Sequence, residues 1–469
     1  PEKPPPLSVS VGGGSMSHRV KEIDPLKRTE RQKYFMNVLN DYQENNKLNL
    51  HEKIGNSIAD RLLELVTREP HVKEDKNTEL FYLYVHKFTL KILNEKDSFF
   101  ADLHTIVDSP LDCDRLDYVT RDLKNSGFRK GEIEYDRLLS SMKLFEYDNH
   151  YYFIPSIRTL STVEDFYARY VFLYKYVVFH HRVIKTDQLL QEILYHLVIH
   201  YLEEEKPEED TGLALPLNIS GLWKPVKQFR TDTKFFNLIT QWDDSWLFTV
   251  LRQIFYERYQ VSHEIISNQL EEILSNKKYY HSVIKRMDDF LIIDEQIINH
   301  FSFDWNTIRE PEVYVKPLKE QYDLFHEDRS EWKRKLPLQG FFLSGLRNLF
   351  AAWFEKDEFT KIIRDAIIKT CSDYNITEDH VLVNFKRLKT GLDKEKPFLH
   401  NDKGIVTLSE VSRIEHDLEK AKDVFPQFFL YVLIKEKEEI SSRFPELLAD
   451  IGKNIGIKMS KYFKERDNQ

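Results

Sequence analysis

The stretch of the chain best suited to chemistry is a dense group of charged side chains between Leu111 and Asp122. It reads Leu111-Asp112-Cys113-Asp114-Arg115-Leu116-Asp117-Tyr118-Val119-Thr120-Arg121-Asp122. The apolar residues recur with the period of an α-helix, which leaves the polar ones on its neighbouring faces. Carboxylates and guanidinium groups on one helix can hold a metal cation and a phosphate together. The alternative is a solvated surface helix with ion pairs one turn apart, such as Asp117 with Arg121.

The elements that would position these residues are predicted to be mainly helical. The chain has 469 residues, enough for two or three domains, with only 14 glycines and 31% charged residues. Its net charge is −9, and its basic residues are scattered rather than gathered into an arm. This pattern argues against general nucleic-acid binding as the main task, and it leaves room for a local basic pocket.

The cysteine count and the hydropathy pattern indicate a cytoplasmic protein. Only two cysteines occur, Cys113 and Cys371, so neither a disulfide framework nor a CxxC zinc site can be built. No apolar run reaches the length that spans a membrane, and no signal peptide is recognisable at the N-terminus. We therefore expect a soluble protein in a reducing compartment, without a membrane partner.

Helical periodicity dominates the first two thirds of the chain. The predicted segments are Arg31–Tyr42, Leu50–Thr67, Thr78–Asn94, Arg115–Ser126, Val163–Phe179, Thr186–Glu203, Asp244–Tyr259 and His263–Leu274. Val163–Phe179 is aromatic on most of its faces, which is typical of a central buried helix.

Strand-like patterns are fewer and shorter. Two aromatic runs flank Asp148-Asn149 and predict a hairpin over Lys143–Ile154. The later predicted strands are Val381–Phe385, Pro397–Leu399, Gly404–Thr407 and Phe428–Leu433. A helix over Ser409–Lys422 and one or two helices over Ser441–Tyr462 complete this part.

These patterns predict three segments. Residues 1–16, rich in proline and glycine, are interpreted as a linker or the remnant of an engineered junction before Met16. Residues 17–335 form a helical core. Residues 336–469 form a small α+β C-terminal subdomain.

The segment from Asp112 to Asp122 resembles the HD-superfamily phosphohydrolases, in particular the dNTP triphosphohydrolase (dGTPase-like) branch, which includes the vertebrate SAM- and HD-domain dNTPase. The helix of that branch reads like D-x-D-R-x-D-Y-x-x-R-D followed by a small residue or glycine, here Gly127. Similar flanking elements are Leu50–Gly55, Val163–Asp165, Phe179-His180 and Glu272–Lys285. The resemblance extends from about His18 to Leu433 and implies an HD-domain-like helical core.

The resemblance implies roles for individual residues. Asp114 would complete the site of a divalent metal ion, with Mg, Mn, Fe, Ni and Zn all compatible. Tyr118 and Asp122 would face the sugar of a bound nucleotide, and Arg121 could instead pair with Asp117. His51 would lie near the phosphates as an acid towards the leaving group, or it could cap its own helix.

Further residues are implied on the nucleotide side of the site. His180 aligns with a histidine there, although beside His181 it could simply end a helix. At the position where the family carries a phosphate-binding arginine this chain has Tyr170, with Arg169 one residue earlier. Successive side chains on a helix are rotated by about 100°, so the side chain of Arg169 points in a different direction from that of Tyr170. A family tyrosine further along aligns with Val178.

The metal site implied by the family is incomplete in this sequence. An HD site needs an upstream histidine and an adjacent His-Asp pair, yet His18 is the only histidine before residue 51. His18 could end the missing motif and act as a catalytic histidine; alternatively, the segment Pro5–Val9 is its decayed remnant. The only His-Asp doublet, His416-Asp417, is interpreted as a solvated helix pair. A fragment or an alternative start of a longer enzyme would explain the gap.

Three functions remain open at this point. The first is a metal-dependent phosphohydrolase that acts on (d)NTPs, with part of its metal site missing from this chain. The second is a catalytically inactive HD-like protein that serves as a nucleotide-binding or protein-interaction subunit. The third is nucleic-acid binding or a nuclease activity within the same superfamily; it rests only on mixtures of aromatic residues and lysines such as Lys277–Tyr280 and is not favoured. The family resemblance also implies a homo-oligomer.

Overall fold

The computed structural model describes most of the helical part of the chain. The described ranges are 10–11, 14–15, 25–29, 32–33, 50–94, 99–128, 132–203, 232–241, 243–261, 264–305, 312–353, 356–386, 388, 397–433 and 442–466. The chain divides into two compact units. The first comprises Pro1–Val107, Asp148–Tyr151 and Leu189–Lys277, and the second comprises Asp108–Tyr147, Tyr152–Gln188 and Lys278–Gln469.

The first unit contains two short strands and a series of helices. The strands are β1 (Ser10–Val11) and β2 (Gly14–Ser15), which pair antiparallel. The N-terminal helices are α1 (Leu50–Arg68), α2 (Pro70–Glu74), α3 (Lys76–Asn94) and α4 (Phe99–His104). Side chains connect α1 to α3, with Asp60 accepting from His86 across 3.0 Å.

The second half of this unit has an apolar core of its own. A long helix, α8 (His181–Glu203), begins in the second unit and continues into the first. The helices that follow are α9 (Thr233–Ile239), α10 (Asp244–Ile254), a π-helical turn (Phe255–Tyr259) and α11 (Glu264–Leu274). Ile193 and Leu197 of α8 pack with Val250, Leu251 and Leu270 in one buried cluster. Burial of these side chains supplies the main free energy that stabilises this helical group.

The second unit carries the remaining helices and the larger sheet. Its helices are α5 (Cys113–Asn125), α6 (Tyr135–Ser141), α7 (Leu160–Leu173), α12 (Met287–His300), α13 (Glu312–Glu327), α14 (Arg329–Gln339), α15 (Phe342–Trp353), α16 (Lys356–Asp373), α17 (Leu408–Val411), α18 (Ile414–Asp423) and α19 (Phe444–Arg466). A π-helical turn (Tyr174–Val178) extends α7.

The strands of this part form small antiparallel sheets. They are β3 (Lys143–Tyr147), β4 (His150–Ile154), β5 (Tyr280–Ser282), β6 (Val381–Asn384), β7 (Phe398–Asn401), β8 (Gly404–Thr407) and β9 (Phe429–Leu433). The order of the three-stranded sheet is β5-β9-β6, with Tyr280 opposite Leu433 and Val381 opposite Val432. β3 pairs with β4, and β7 pairs with β8.

Close helix packing organises the main core of the second unit. On α19, Gly452 and Gly456 lie against the backbone of α12, and a Cβ atom on Gly456 would be only 2.7 Å from the carbonyl oxygen of Ile297. The absence of side chains at these two positions lets the helices approach. The buried cluster around them includes Phe290 and Ile293.

Most predicted elements are confirmed, and the fold is mainly α with a small α+β part. The predicted hairpin forms, and its turn residues Asp148 and Asn149 have φ angles of 53° and 62°, as a two-residue turn with φ above zero requires. The predicted helix Ser409–Lys422 is interrupted, because α17 ends at Val411 and α18 begins at Ile414.

Some predictions concern residues outside the described ranges or the boundaries between domains. The predicted helix Arg31–Tyr42 falls almost entirely outside the described residues, as does His18. The boundaries at 16/17 and 335/336 remain predictions about independent folding. Among the described residues, no helix combines the length and the apolarity needed to cross a lipid bilayer.

Candidate functional site

Helix α5 carries most of the charged segment Asp112–Asp122, and the helix is capped at both ends. Asp112 precedes the first turn, and its carboxylate accepts the backbone N–H of Arg115 at 2.7 Å. Burial raises the pKa of Asp112, although this hydrogen bond and the Arg115 charge oppose the effect. At the other end Gly127 has a φ of 82°, and the N–H of Phe128 donates to the carbonyl of Leu123 at 3.1 Å. This pattern is a Schellman motif, which requires a positive φ at the residue after the helix, and glycine adopts that conformation without strain.

One face of α5 is buried against α7. Leu116, Val119 and Leu123 belong to one apolar cluster with Phe166 and Tyr167 of α7. The core-facing role predicted for Leu116 and Val119 is therefore confirmed. The two helices form one packed unit, so the remaining faces of α5 have fixed directions.

A second face of α5 carries Asp114, Tyr118 and Asp122, spaced one helical turn apart. Asp114 is exposed, whereas Tyr118 and Asp122 are half-buried. The ring of Tyr118 lies 6.5 Å from the ring of Tyr170, centroid to centroid. Burial raises the pKa of Tyr118, and its hydrogen bonding with Tyr174 raises it further. Tyr118 is therefore a neutral phenol at physiological pH.

The side of α7 next to Tyr118 is built from tyrosines. Tyr170 is only 4% exposed and stacks on Tyr174, with ring centroids 4.5 Å apart. Burial raises the pKa of Tyr170 as well, followed by hydrogen bonding to Tyr174. The position that aligns with the family's arginine is thus occupied by a buried, neutral aromatic side chain. Tyr174 was not singled out from the sequence, although its spacing of one turn from Tyr170 was visible.

Arg169 lies in a different environment from Tyr170. Its guanidinium pairs with Asp165, one turn earlier, at 2.8 Å. The charges of Arg169, Asp117 and Asp165 all act on the hydroxyl of Tyr135, so these three residues share the neighbourhood of that tyrosine. The Tyr135 hydroxyl itself donates to the carbonyl of Leu116 at 2.5 Å.

Arg121 connects two acids on the outer surface of α5. It forms an ion pair with Asp117, as the sequence predicted, and its Nε lies 3.3 Å from a carboxylate oxygen of Asp122. All three side chains are about half exposed, so the pairs are solvent-screened and contribute little to stability. The carboxylate of Asp122 keeps a second oxygen that can accept a hydrogen bond from a ligand.

His180 lies beyond the π-helical turn that follows α7. The turn is closed by the N–H of Phe179, which donates to the carbonyl of Tyr174 at 2.7 Å. His180 is exposed, and its ring centroid lies 4.5 Å from that of His181. Burial lowers the pKa of His181 to about 4, and the nearby charges of His180, Arg182, Lys285 and Lys185 act in the same direction.

A basic group therefore surrounds the start of α8. His181 is within hydrogen-bond distance of the Ser282 hydroxyl, 2.9 Å away, and Lys185 donates to the carbonyl of Tyr280 at 3.0 Å. The stretch Glu272–Lys285, which resembles a family helix, is helical only as far as Leu274. Its later part forms strand β5, which brings Lys285 towards His181.

The remaining predicted site residues are not brought together. His51 lies on α1 of the first unit, and its side chain, like all of His18, lies outside the described residues. His416 and Asp417 form an exposed pair at 3.5 Å, in keeping with the predicted solvated pair. No group of three metal-ligating side chains occurs within the described ranges. Asp114 therefore belongs to no such group among the described residues, and one carboxylate by itself does not hold a divalent cation tightly.

Comparisons with known proteins found similar chains among solved structures. No protein-family profile matches the chain, and no curated protein matches it. Among solved structures, a phosphohydrolase from Bacteroides thetaiotaomicron VPI-5482 is similar, with 14% sequence identity and a TM-score of 0.41. The match covers 80% of this chain and 70% of the other.

Proposed function

We propose that the protein is an HD-type phosphohydrolase that acts on a nucleotide, and that the sugar of this substrate binds at Tyr118 and Asp122, on the face of α5 that also carries Asp114. The observation that carries the proposal is the arrangement of these three side chains on one face of α5, in the order that the motif requires.

The residues of this face have complementary roles in the proposal. The ring of Tyr118 offers an apolar surface to a ribose, and its neutral hydroxyl can still donate or accept. Asp122 accepts from a sugar hydroxyl, while Arg121 holds its carboxylate in position. Asp114, exposed in the first turn, is directed to solvent, where the phosphates of the substrate would be accessible.

The metal ion that the family implies does not fit the described residues, because Asp114 belongs to no group of three metal-ligating side chains among them. When bound in an HD site, such an ion activates a water molecule and neutralises charge on phosphorus.

A second candidate function is nucleotide binding without hydrolysis. It is favoured by one observation: the arginine position holds Tyr170, which is buried, and the neighbouring Arg169 is paired with Asp165. Neither side chain offers a free positive charge to a phosphate at that point. A subunit that only binds a nucleotide would tolerate this replacement.

The activity test uses the full chain with each of the four dNTPs and a panel of divalent ions, and chromatography follows released nucleoside and triphosphate. Release is expected to fall at least tenfold in Asp114→Asn and to be retained in Asp117→Asn, which removes the same charge from another face of α5. Binding without any release supports the second candidate.

A binding test exploits the two cysteines. Cys113 begins α5 and is exposed, whereas Cys371 is buried and its burial raises the thiol pKa to about 12. Iodoacetamide should therefore label Cys113 alone. A nucleotide bound beside Asp114 is expected to slow this labelling. Unchanged labelling together with no product release would refute both candidate functions.

A further inference from the structure

Tyr174 is the first residue of the π-helical turn that extends α7, and it contacts one of the residues proposed to bind the sugar. Its side chain is hydrogen-bonded to Tyr118 on α5 and to Tyr170 on α7. A phenol hydroxyl both donates and accepts, so one hydroxyl can join two others. Tyr174 therefore links α7 to the face of α5 that carries Tyr118.

The ring of Tyr174 has buried aromatic neighbours. It stacks on Tyr170, with ring centroids 4.5 Å apart and an angle of 26° between the ring planes. Its centroid also lies 6.1 Å from that of Phe179, a buried ring that packs edge-on against Phe425 at 5.3 Å. Close packing of this kind restricts the rotamers that a side chain can adopt. The position of the Tyr174 ring is therefore set by buried residues of the second unit.

The backbone of Tyr174 is also held by hydrogen bonds. Its N–H donates to the carbonyl of Tyr170, and its carbonyl accepts the N–H of Phe179 at 2.7 Å. The second bond spans five residues, as is usual in a π-helical turn, and such turns are frequent at functional sites. Both the ring and the backbone of Tyr174 are thus fixed without a ligand.

Tyr118 relies more on its hydroxyl for its orientation. Its ring is half-buried and lies 6.5 Å from the ring of Tyr170, a wider spacing than that of the stacked pair Tyr170 and Tyr174. Burial is the main reason why the pKa of Tyr118 is raised, and the hydrogen bond with Tyr174 is the next. A hydrogen bond at the end of a ring fixes the direction in which the ring points, and binding sites commonly use such supporting contacts.

We propose that Tyr174 is a positioning residue of the candidate site, whose hydroxyl holds the ring of Tyr118 in the orientation that meets the sugar. The inference rests on the proposed function, because the contact of Tyr118 with the sugar belongs to that function. Tyr174 acts through Tyr118 and does not contact the ligand itself. It lies outside the Asp112–Asp122 segment, so the motif alone does not identify it.

The first experiment measures nucleotide affinity in a double-mutant cycle. Calorimetry with each of the four dNTPs is done in EDTA, which prevents metal-dependent hydrolysis, on the full chain and on Tyr118→Phe, Tyr174→Phe and the double variant. Each single variant is expected to bind about fivefold more weakly, the equivalent of one hydrogen bond. The double variant should bind no more weakly than either single variant, because both substitutions remove the same bond. Independent roles would instead multiply to about twenty-five-fold.

The matched control lies in the same π-helical turn. Tyr176 is 48% exposed and packs against Phe172, with ring centroids 4.6 Å apart. Tyr176→Phe removes a hydroxyl and keeps the ring, as Tyr174→Phe does, and it should leave the affinity unchanged. An equal loss of affinity in both variants would mean that the turn as a whole, rather than the Tyr174 hydroxyl, supports the site.

Kinetics separate positioning from a general loss of structure where the chain releases product. Tyr174→Phe should raise KM by about fivefold and leave kcat unchanged, since the sugar is bound in the ground state and the transition state alike. A substitution that only destabilises the fold lowers the fraction of active protein, so kcat falls and KM stays the same. That second pattern would contradict the positioning role.

The second experiment tests the link between the tyrosines without any ligand. Urea titrations of the same four proteins give their free energies of unfolding. The loss in the double variant should be smaller than the sum of the two single losses, because Tyr118 and Tyr174 share one bond. Additive losses would show that the two hydroxyls are not bonded to each other, and the inference would fall.

The two experiments distinguish failure of this inference from failure of the proposed function. If the unmodified chain binds dNTPs and the affinity losses are additive, or Tyr174→Phe loses none, only the positioning role is refuted. If the unmodified chain binds none of the four dNTPs, the proposed function is refuted and the positioning role falls with it, whatever the urea titrations show.

Discussion

Tyr118 on α5 and Tyr170 on α7 lie with their ring centroids 6.5 Å apart, and Tyr174 joins both through its hydroxyl. Three tyrosines from two helices thus form one hydrogen-bonded group beside the candidate nucleotide face. Because burial raises the pKa of both Tyr118 and Tyr170, these two phenols stay neutral well above physiological pH. The tyrosine side chains themselves therefore present neither a like charge nor a cation to an anionic phosphate.

The hydroxyl and the ring of Tyr118 have separate roles, which two substitutions can distinguish. Tyr118→Phe keeps the ring and is expected to lower the free energy of unfolding by about 1 kcal/mol, the usual net value of one hydrogen bond. Nucleotide affinity, measured by calorimetry, should fall by less than tenfold. Tyr118→Ala also removes the ring surface and should lose at least tenfold more affinity. Equal affinities of the two variants would show that the ring does not contact the ligand.

Removal of the N-cap of α5 is expected to lower the stability of the protein measurably. Asp112→Ala removes the acceptor of the Arg115 N–H and should lower the free energy of unfolding by about 1 kcal/mol in urea titrations. Asp112→Asn retains a side-chain oxygen at the same place and should lose less. If both variants were as stable as the unmodified protein, the cap would not contribute to the fold of the site helix.

Two glycines on different helices should respond oppositely to alanine. Gly456→Ala is expected to destabilise the protein by about 1–3 kcal/mol, because the new methyl group meets the α12 backbone, which cannot move without separating the helices. Gly55→Ala, on α1, meets no atom of the described residues within 4 Å and should stabilise its helix by up to about 1 kcal/mol. Thermal denaturation of the two variants tests this difference, and a stable Gly456→Ala protein would contradict the close packing.

A buried carboxylate predicts a pH dependence of stability. Asp294 of α12 is fully buried, and its oxygens accept the backbone N–H groups of Phe342 and Leu343 at 2.8 and 2.9 Å. Burial raises its pKa from 3.8 to about 7, although both N–H donors oppose this. The folded protein therefore holds this proton more tightly than the unfolded chain does.

The sign of the effect follows from this difference. The stabilising contribution of the protonated Asp294 is complete below the unfolded pKa, declines as the pH rises towards 7 and is lost above it. The slope is at most about 1.4 kcal/mol per pH unit. Urea titrations at several pH values should show a steeper decline for the unmodified protein than for Asp294→Asn. The same slope in both proteins would assign the pH dependence to other groups.

Local sequence patterns predicted the long elements well. α1, α3 and α5 begin and end within a few residues of their predicted limits, because each has a regular apolar period and recognisable end signals. The hairpin was predictable because Asp148-Asn149 favours a tight turn. The strand β5 was not predicted, since its three residues follow a helix and only the distant β9 makes them a strand.

The candidate site was predictable only in part. The face of Asp114, Tyr118 and Asp122 follows from the helical period alone. The Asp117–Arg121 pair follows from the same spacing. The contact of Tyr118 with Tyr170 and Tyr174, and the basic group of His181, Lys185 and Lys285, depend on how separate segments pack. Such tertiary relationships are not encoded in any single window of sequence.

The packing of α19 on α12 has a consequence for how the protein folds during its synthesis on the ribosome. Residues of α12 are translated long before Gly452 and Gly456, the residues that close over them. Until α19 emerges from the exit tunnel, the side of α12 that α19 covers must stay exposed to solvent or be bound by a chaperone. The second unit also begins at Asp108 and is interrupted by two segments of the first, Asp148–Tyr151 and Leu189–Lys277. Its assembly therefore depends on contacts between distant parts of the chain, and we expect slow, largely post-translational folding.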